Sequence, residues 1–205
     1  MLKKITSEAL GLSDIGEVIA PSHYSSVESD DYIFTENNEE KIYFLIKSKS
    51  DEYCFTNKGL LHLDGDSALS KKRTLKRYNY STNLISDVYL ETAGTVDLDV
   101  EIIFTMGDVR FKIDVHKKHL EQVKDLYKTL LKIEETQTEA NLLLKHSKES
   151  LAFAQSFLEG LRDSTGDVVE QSKALSNLYL EWSREKRKQF IVRDFGYLFE
   201  LYINN

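Results

Sequence analysis

Asp97, Asp99 and Glu101 recur at every second position of the stretch Glu91-Thr92-Ala93-Gly94-Thr95-Val96-Asp97-Leu98-Asp99-Val100-Glu101. Carboxylate oxygens are the ligands Ca²⁺ takes, in sets of about six to eight, so this ladder is the first place to look for a metal. A straight strand, however, sets alternate side chains about 6–7 Å apart, too far for compact coordination. The residue types fit better as a charged strand face, paired with Arg110 and Lys112 of the following segment or meeting a neighbouring subunit. No metal and no cofactor are expected.

The second candidate is basic. Lys71, Lys72, Arg73, Lys76 and Arg77 form the densest cationic run in the first two thirds of the chain. Charge-assisted contacts to phosphate oxygens are strong, so these residues are candidates for an anion or lipid headgroup at a membrane surface. The competing role is a solvated strand edge whose lysines deter edge-to-edge pairing. Net charge is −7 over 205 residues. Residues 1–133 carry 18 basic against 22 acidic side chains and the remainder 9 against 12, so neither part is basic. That balance counts against nucleic acid as a partner.

Catalytic constellations are absent from the pattern. His62-Leu63-Asp64-Gly65-Asp66 and Asp114-Val115-His116-Lys117-Lys118-His119 each set a histidine near carboxylates. Acid–base chemistry needs such groups to converge in a cleft, and neither stretch supplies a nucleophile motif, a phosphate loop or metal-ligand spacing. Turn and helix-entry roles are expected, and the chain reads as no enzyme. Cys54, the single cysteine, excludes an internal disulfide, and its Tyr53-Cys54-Phe55 setting predicts a buried, unreactive thiol. Arg184, Lys186, Arg187 and Lys188 near a helix end suit the helix dipole, with docking of an acidic partner as the alternative. Met1-Leu2-Lys3-Lys4 lacks the apolar run of a signal peptide, and no stretch reaches the length of a membrane span, so a cytoplasmic chain is expected.

The elements that position these residues show a change of period. Ser7 to Ile19 predicts a short helix closed by Pro21, and Glu28 to Glu40, six acids and no base, a solvated connector with one strand near Tyr32 to Thr35. From Lys41 the period becomes two. Ile42, Phe44 and Ile46 fall on one face, with Tyr43, Leu45 and Lys47 on the other. Glu52 to Phe55, Leu60 to Leu63, Arg73 to Tyr80 and Leu84 to Glu91 follow, Asn57-Lys58-Gly59 marking a turn. Leu98, Val100, Ile102 and Phe104, then Val109, Phe111, Ile113 and Val115, alternate with polar residues about a Met106-Gly107-Asp108 turn, an antiparallel hairpin.

Near His116 the period becomes helical. Leu120, Val123, Tyr127 and Leu130 mark an amphipathic helix ending near Ile133. Glu134 to Glu139 either joins two helices or continues one. Leu143, Leu151, Ala154, Leu158 and Leu161, widened by Phe153 and Phe157, form a further stripe. After an Asp163-Ser164-Thr165-Gly166 turn, a second helix runs through Val168 to Trp182. Phe190, Ile191, Phe195, Leu198, Phe199, Leu201 and Tyr202 close the chain as a helical segment broken at Gly196. A two-helix hairpin buries few of these side chains, each worth about 1.5–3 kcal/mol when covered. They pack on the β-rich part or on another subunit, the second being the expectation. Phe153, Phe157, Leu158, Trp182, Phe195 and Phe199 are the candidate buried helical or intersubunit contacts, and Asp97, Asp99, Glu101, Arg110 and Lys112 the polar subunit contacts.

The Glu91 to Glu101 run resembles the signature of bacterial pleckstrin-homology (PH) domains of the YvbH-like group. Asp51-Glu52-Tyr53-Cys54-Phe55-Thr56-Asn57-Lys58 is similar to that family's Phe-Thr-Asn strand end, and Leu63-Asp64, Gly65 and Lys71-Lys72 resemble its next elements. The resemblance spans roughly residues 38–133, and residues 134–205 look like the helical extension of such proteins, regarded as an oligomerisation region. It implies an α+β fold: a PH-like antiparallel β-barrel or bent sandwich of about seven strands capped by a helix, then an all-α hairpin. The domains are expected at 1–133 and 134–205. The resemblance implies a binding and assembly module that forms a homo-oligomer, without catalytic activity. A peripheral membrane module using Lys71 to Arg77 and a docking scaffold for a protein partner are the alternatives.

Overall fold

A computed structural model describes residues 14–36, 39–65, 73–92, 99–160 and 168–203, with the backbone alone at 157–160, 168 and 169. The predicted helix before Pro21 is replaced, over its described residues, by a short strand β1 (Glu17–Val18), and Pro21 opens a 3-10 helix, Pro21–Ser26. Tyr32 to Thr35 forms no strand; a second 3-10 helix, Ser29–Tyr32, ends there. Proline at the first helical position loses no hydrogen bond, because that N–H has no intrahelical partner.

Seven strands follow where the period-two pattern places them. They are β2 (Ile42–Lys47), β3 (Glu52–Thr56), β4 (Gly59–Gly65), β5 (Arg73–Asn79), β6 (Ile85–Thr92), β7 (Asp99–Met106) and β8 (Val109–His116). All pair antiparallel, in a five-stranded sheet β1-β2-β3-β4-β5 and a three-stranded sheet β6-β7-β8. Gly107 turns β7 into β8 with φ 63°, a conformation that favours glycine.

Strands β2 to β4 are apolar on both faces because both are covered. Leu45, Cys54 and Leu61 lie in register across the three strands and pack beneath Ile19 and Val27 of the N-terminal segment. Phe55 and Leu60 are paired neighbours, and Phe55 reaches Phe104 of β7, centroids 6.0 Å apart, joining the two sheets. Phe104 in turn stacks on Phe111 of β8 at 5.0 Å.

Helix α1 (Leu120–Gly160) does not stop near Ile133 but continues for 41 residues, since Glu134 to Glu139 holds no helix breaker. Val123, Leu126, Leu130 and Ile133, three or four apart, are fully buried, and Tyr127, expected on that stripe, is only half-buried. Helix α2 (Val168–Phe190) and the short α3 (Gly196–Tyr202) complete the chain. The predicted turn at Asp163 to Gly166 lies outside the described residues. No helix among the described residues is long and apolar enough to cross a membrane.

The described residues fall into two compact units. One comprises residues up to Glu135 together with those from Arg193 onward, and the other Thr136–Val192. The described residues from Arg193 to Ile203 therefore belong with the strands.

Candidate functional site

The basic run lies on the edge strand β5 and its approach. Lys71 and Lys72 lie outside the described residues, and Lys76 is exposed. Arg73 Nε stands 3.2 Å from Glu28 Oε2, and Arg73 Nη1 donates to the Ser50 carbonyl at 3.3 Å. Arg77 is committed more deeply. It pairs with both oxygens of Glu40, at 2.9 and 3.0 Å, donates to the Tyr32 carbonyl at 3.0 Å, and lies 4.8 Å over the Phe34 ring. Burial pushes the Glu40 carboxyl up, but hydrogen bonds from Arg77, the Phe34 N–H and Thr56 outweigh it and hold the group below the usual carboxylate range. Two of the three described cations thus already hold carboxylates.

The acidic ladder converges by a route the spacing does not reveal. Asp97 lies outside the described residues. Glu101 is in register with Asp114 of β8 on one side and Glu91 of β6 on the other, so acid faces acid across the sheet. Oxygens of Asp99, Glu101 and Asp114 lie within 4.8 Å of one another. Burial, then the charges of Glu101 and Asp99, push the Asp114 carboxyl above its ordinary value. Lys112 Nζ sits 2.9 Å from Glu101 Oε2, as the alternation of charge predicts. Arg110 does not join the ladder; its guanidinium hydrogen-bonds the Tyr89 hydroxyl, because its register partner is Thr105.

The histidines serve the fold. His62 takes Asp51 at 3.0 Å rather than Asp64, and stacks on Tyr53 with centroids 4.4 Å apart. His116 Nδ1 accepts from the Lys118 N–H, capping a 3-10 turn, and His119 Nε2 meets Glu17 at 2.7 Å. A second buried ion pair joins Lys47 Nζ to Glu52 Oε2 at 2.6 Å, and Ser29 donates to Glu52 through both N–H and hydroxyl. Cys54 is fully buried.

A polar cleft of about 600 Å³ opens where α3 meets the start of β2. Its acids are held from within the same unit: Asn57 donates to Asp194 at 2.5 Å, Tyr43 to Glu200 at 2.9 Å and Lys58 to Glu39 at 3.1 Å.

The helical unit carries a different surface. The α1 segment Leu143 to Ala154 faces Trp182 and Lys186 across a groove of about 450 Å³, while Gln155 lies with Leu175 to Leu180, so the two helices run antiparallel. Trp182 is half-buried in that groove, but Phe153 is 76% exposed, with Leu142, Leu178, Tyr179 and Leu180 also exposed. The side chains of Phe157 and Leu158 lie outside the described residues. Phe195 and Phe199, grouped with Phe153 by their spacing, are instead wholly buried on the strands of their own chain. Phe199 stacks on Tyr43 at 5.2 Å and Phe195 meets Tyr80 edge-on at 5.5 Å, so aromatic partners within the β unit take them up.

Comparison with known proteins matches residues 9–134 to the family described as Bacterial PH domain, and residues 145–205 to the YvbH-like oligomerisation region. The chain is 53% identical over 205 residues to "Uncharacterized protein YvbH" of Bacillus subtilis (strain 168), covering all of both chains. It is also similar to the crystal structure of a PH domain containing bacterial protein from Exiguobacterium sibiricum 255-15, with 48% identity and a TM-score of 0.83. That match covers 93% of this chain and 100% of the other.

Proposed function

The chain belongs to the bacterial PH domain family, with a YvbH-like oligomerisation region after the PH domain, and from that premise we propose a non-enzymatic binding and assembly module whose helical extension joins copies of the chain. One observation carries the reading: the described antiparallel helices leave Leu142, Phe153, Leu178, Tyr179 and Leu180 exposed, with Tyr179 and Leu180 lining a groove beside Gln155. Five large apolar side chains exposed on so small a helical unit support a contact with a partner. Identical chains supply the simplest partner, since a two-fold contact presents the same patch twice.

The strand unit is the binding half of the proposal, with its ligand unassigned. A headgroup site on Lys71 to Arg77 is the weaker reading, because Arg73 and Arg77 are engaged by Glu28 and Glu40. Docking of an unrelated protein on the extension is the competing assembly reading.

Size-exclusion chromatography with light scattering tests the proposal. A mass above one chain, reduced by combined Phe153→Glu and Leu178→Glu, is expected. A single-chain mass at every concentration up to the solubility limit sinks it.

A further inference from the structure

The matched oligomerisation region runs to residue 205, yet its final segment is built into the strand unit. Phe195 and Phe199 have no exposed surface and Leu198 almost none. The Phe195 N–H donates to the Asn57 carbonyl at 2.8 Å, in the turn between β3 and β4. The Asn57 side chain accepts from the Lys41 N–H at 2.9 Å and donates to the Glu39 carbonyl and to Asp194. One side chain therefore knits the start of β2, the β3–β4 turn and the returning C-terminal segment. Tyr43 closes the other side, its ring on Phe199 and its hydroxyl on Glu200. The approach is close enough that a Cβ on Gly196 would stand 2.8 Å from the Tyr43 hydroxyl oxygen.

Burial of this kind is that of a core, not of a surface held ready for another chain. We infer that residues 193–203 are an intramolecular clasp that completes the PH unit, and that the described helical residues within 145–192 are the part of the oligomerisation region that meets a second copy. The second half of this inference rests on the self-association reading above. Because Glu135 and Arg193 both belong to the strand unit, the extension is a loop tied at both ends rather than a free arm. Subunits then join through the sides of the hairpin, without exchanging their C-terminal helices.

The test uses the full chain with Phe199→Leu, which keeps an apolar side chain, and Tyr43→Phe, which removes only the hydroxyl. Melting is followed by near-ultraviolet circular dichroism and mass by light scattering at 20 °C. Loss of packing at Phe199 is expected to lower the melting temperature by roughly 3–6 °C, and Tyr43→Phe by less, with the mass of both equal to that of the unaltered chain. An unchanged melting temperature in Phe199→Leu overturns the clasp, as does a fall to single-chain mass while the strand unit melts normally. If the unaltered chain is itself a single-chain species, the self-association reading fails, and the Phe199→Leu melt still decides the clasp.

Discussion

The guanidinium of Arg77 meets the carboxylate of Glu40 edge to edge, Nη1 2.9 Å from Oε1 and Nη2 3.0 Å from Oε2, and the carboxylate is fully buried. Thr56 and the Phe34 N–H complete the acceptor set of Glu40. Two-point pairing with every lone pair occupied is the geometry in which a buried ion pair offsets its desolvation.

Removing only the cation leaves the Glu40 charge buried without its ion-pair partner. Arg77→Met is expected to cost about 3–5 kcal/mol, measured as the shift in urea unfolding free energy at pH 7. Adding Glu40→Met should restore much of the loss, since no orphan charge remains. A loss in Arg77→Met below about 1 kcal/mol, the size of a surface pair, would show that the pair is solvated.

Acid should destabilise the strand unit through three carboxylates. Burial raises Glu40, Glu52 and Asp51, but Arg77, Lys47 and His62, with hydrogen bonds from Phe34, Ser29 and Ser50, outweigh it and hold all three below their ordinary 4.5, 4.5 and 3.8. A folded-state value below the unfolded one contributes stability that is complete above the unfolded value. It is lost as pH falls through that value towards the folded one. Urea midpoints should therefore hold between pH 7 and 5.5 and drop progressively below about 4.5. A flat profile down to pH 3 would contradict the assignment.

These pairs mark where the sequence was legible and where it was not. Period-two alternation from Val109 to Val115 locates a strand, because half-buried strands must alternate, whereas Ile42 to Lys47 is a short run of mostly apolar residues covered on both faces. The aromatic tail looked like an outward face because helical spacing reports that a side is apolar, never what covers it. Only the return of the chain after Val192 decides that Phe199 meets Tyr43. The pairing of Arg77 with Glu40 was hidden for a like reason. The two residues lie 37 apart, and Glu40 ends a run of acids that reads as solvated. Their meeting depends on which sheet edge β5 occupies, and that is a tertiary fact.

The facing acids of β7 and β8 predict a substitution that stabilises. Burial and the charges of Glu101 and Asp99 raise the Asp114 carboxyl above 3.8. A raised acid favours the folded state only when protonated, so that stability is complete below the unfolded value and lost as pH rises through the folded one. Asp114→Asn should thus raise the urea midpoint at pH 7 and lose its advantage near pH 3. A lower midpoint at pH 7 would mean that Asp114 holds a favourable partner outweighing Glu101.

Cys54 offers a chemical reading of the same core. Its thiol is wholly buried with Leu45 and Leu61 beneath Ile19 and Val27, and burial pushes its pKa up to about 12. At pH 8 only about one thiol in ten thousand would be ionised, and the thiolate is the reactive form. Ellman's reagent should therefore label the native chain only as fast as the N-terminal cover opens, and label the urea-unfolded chain at once. Ile19→Ala and Val27→Ala thin that cover without touching the inter-sheet packing of Phe55 on Phe104, so each should speed labelling more than it lowers the urea midpoint. Prompt stoichiometric labelling of the unaltered chain at pH 8 would show that the segment from Ile19 to Val27 does not close over the sheet.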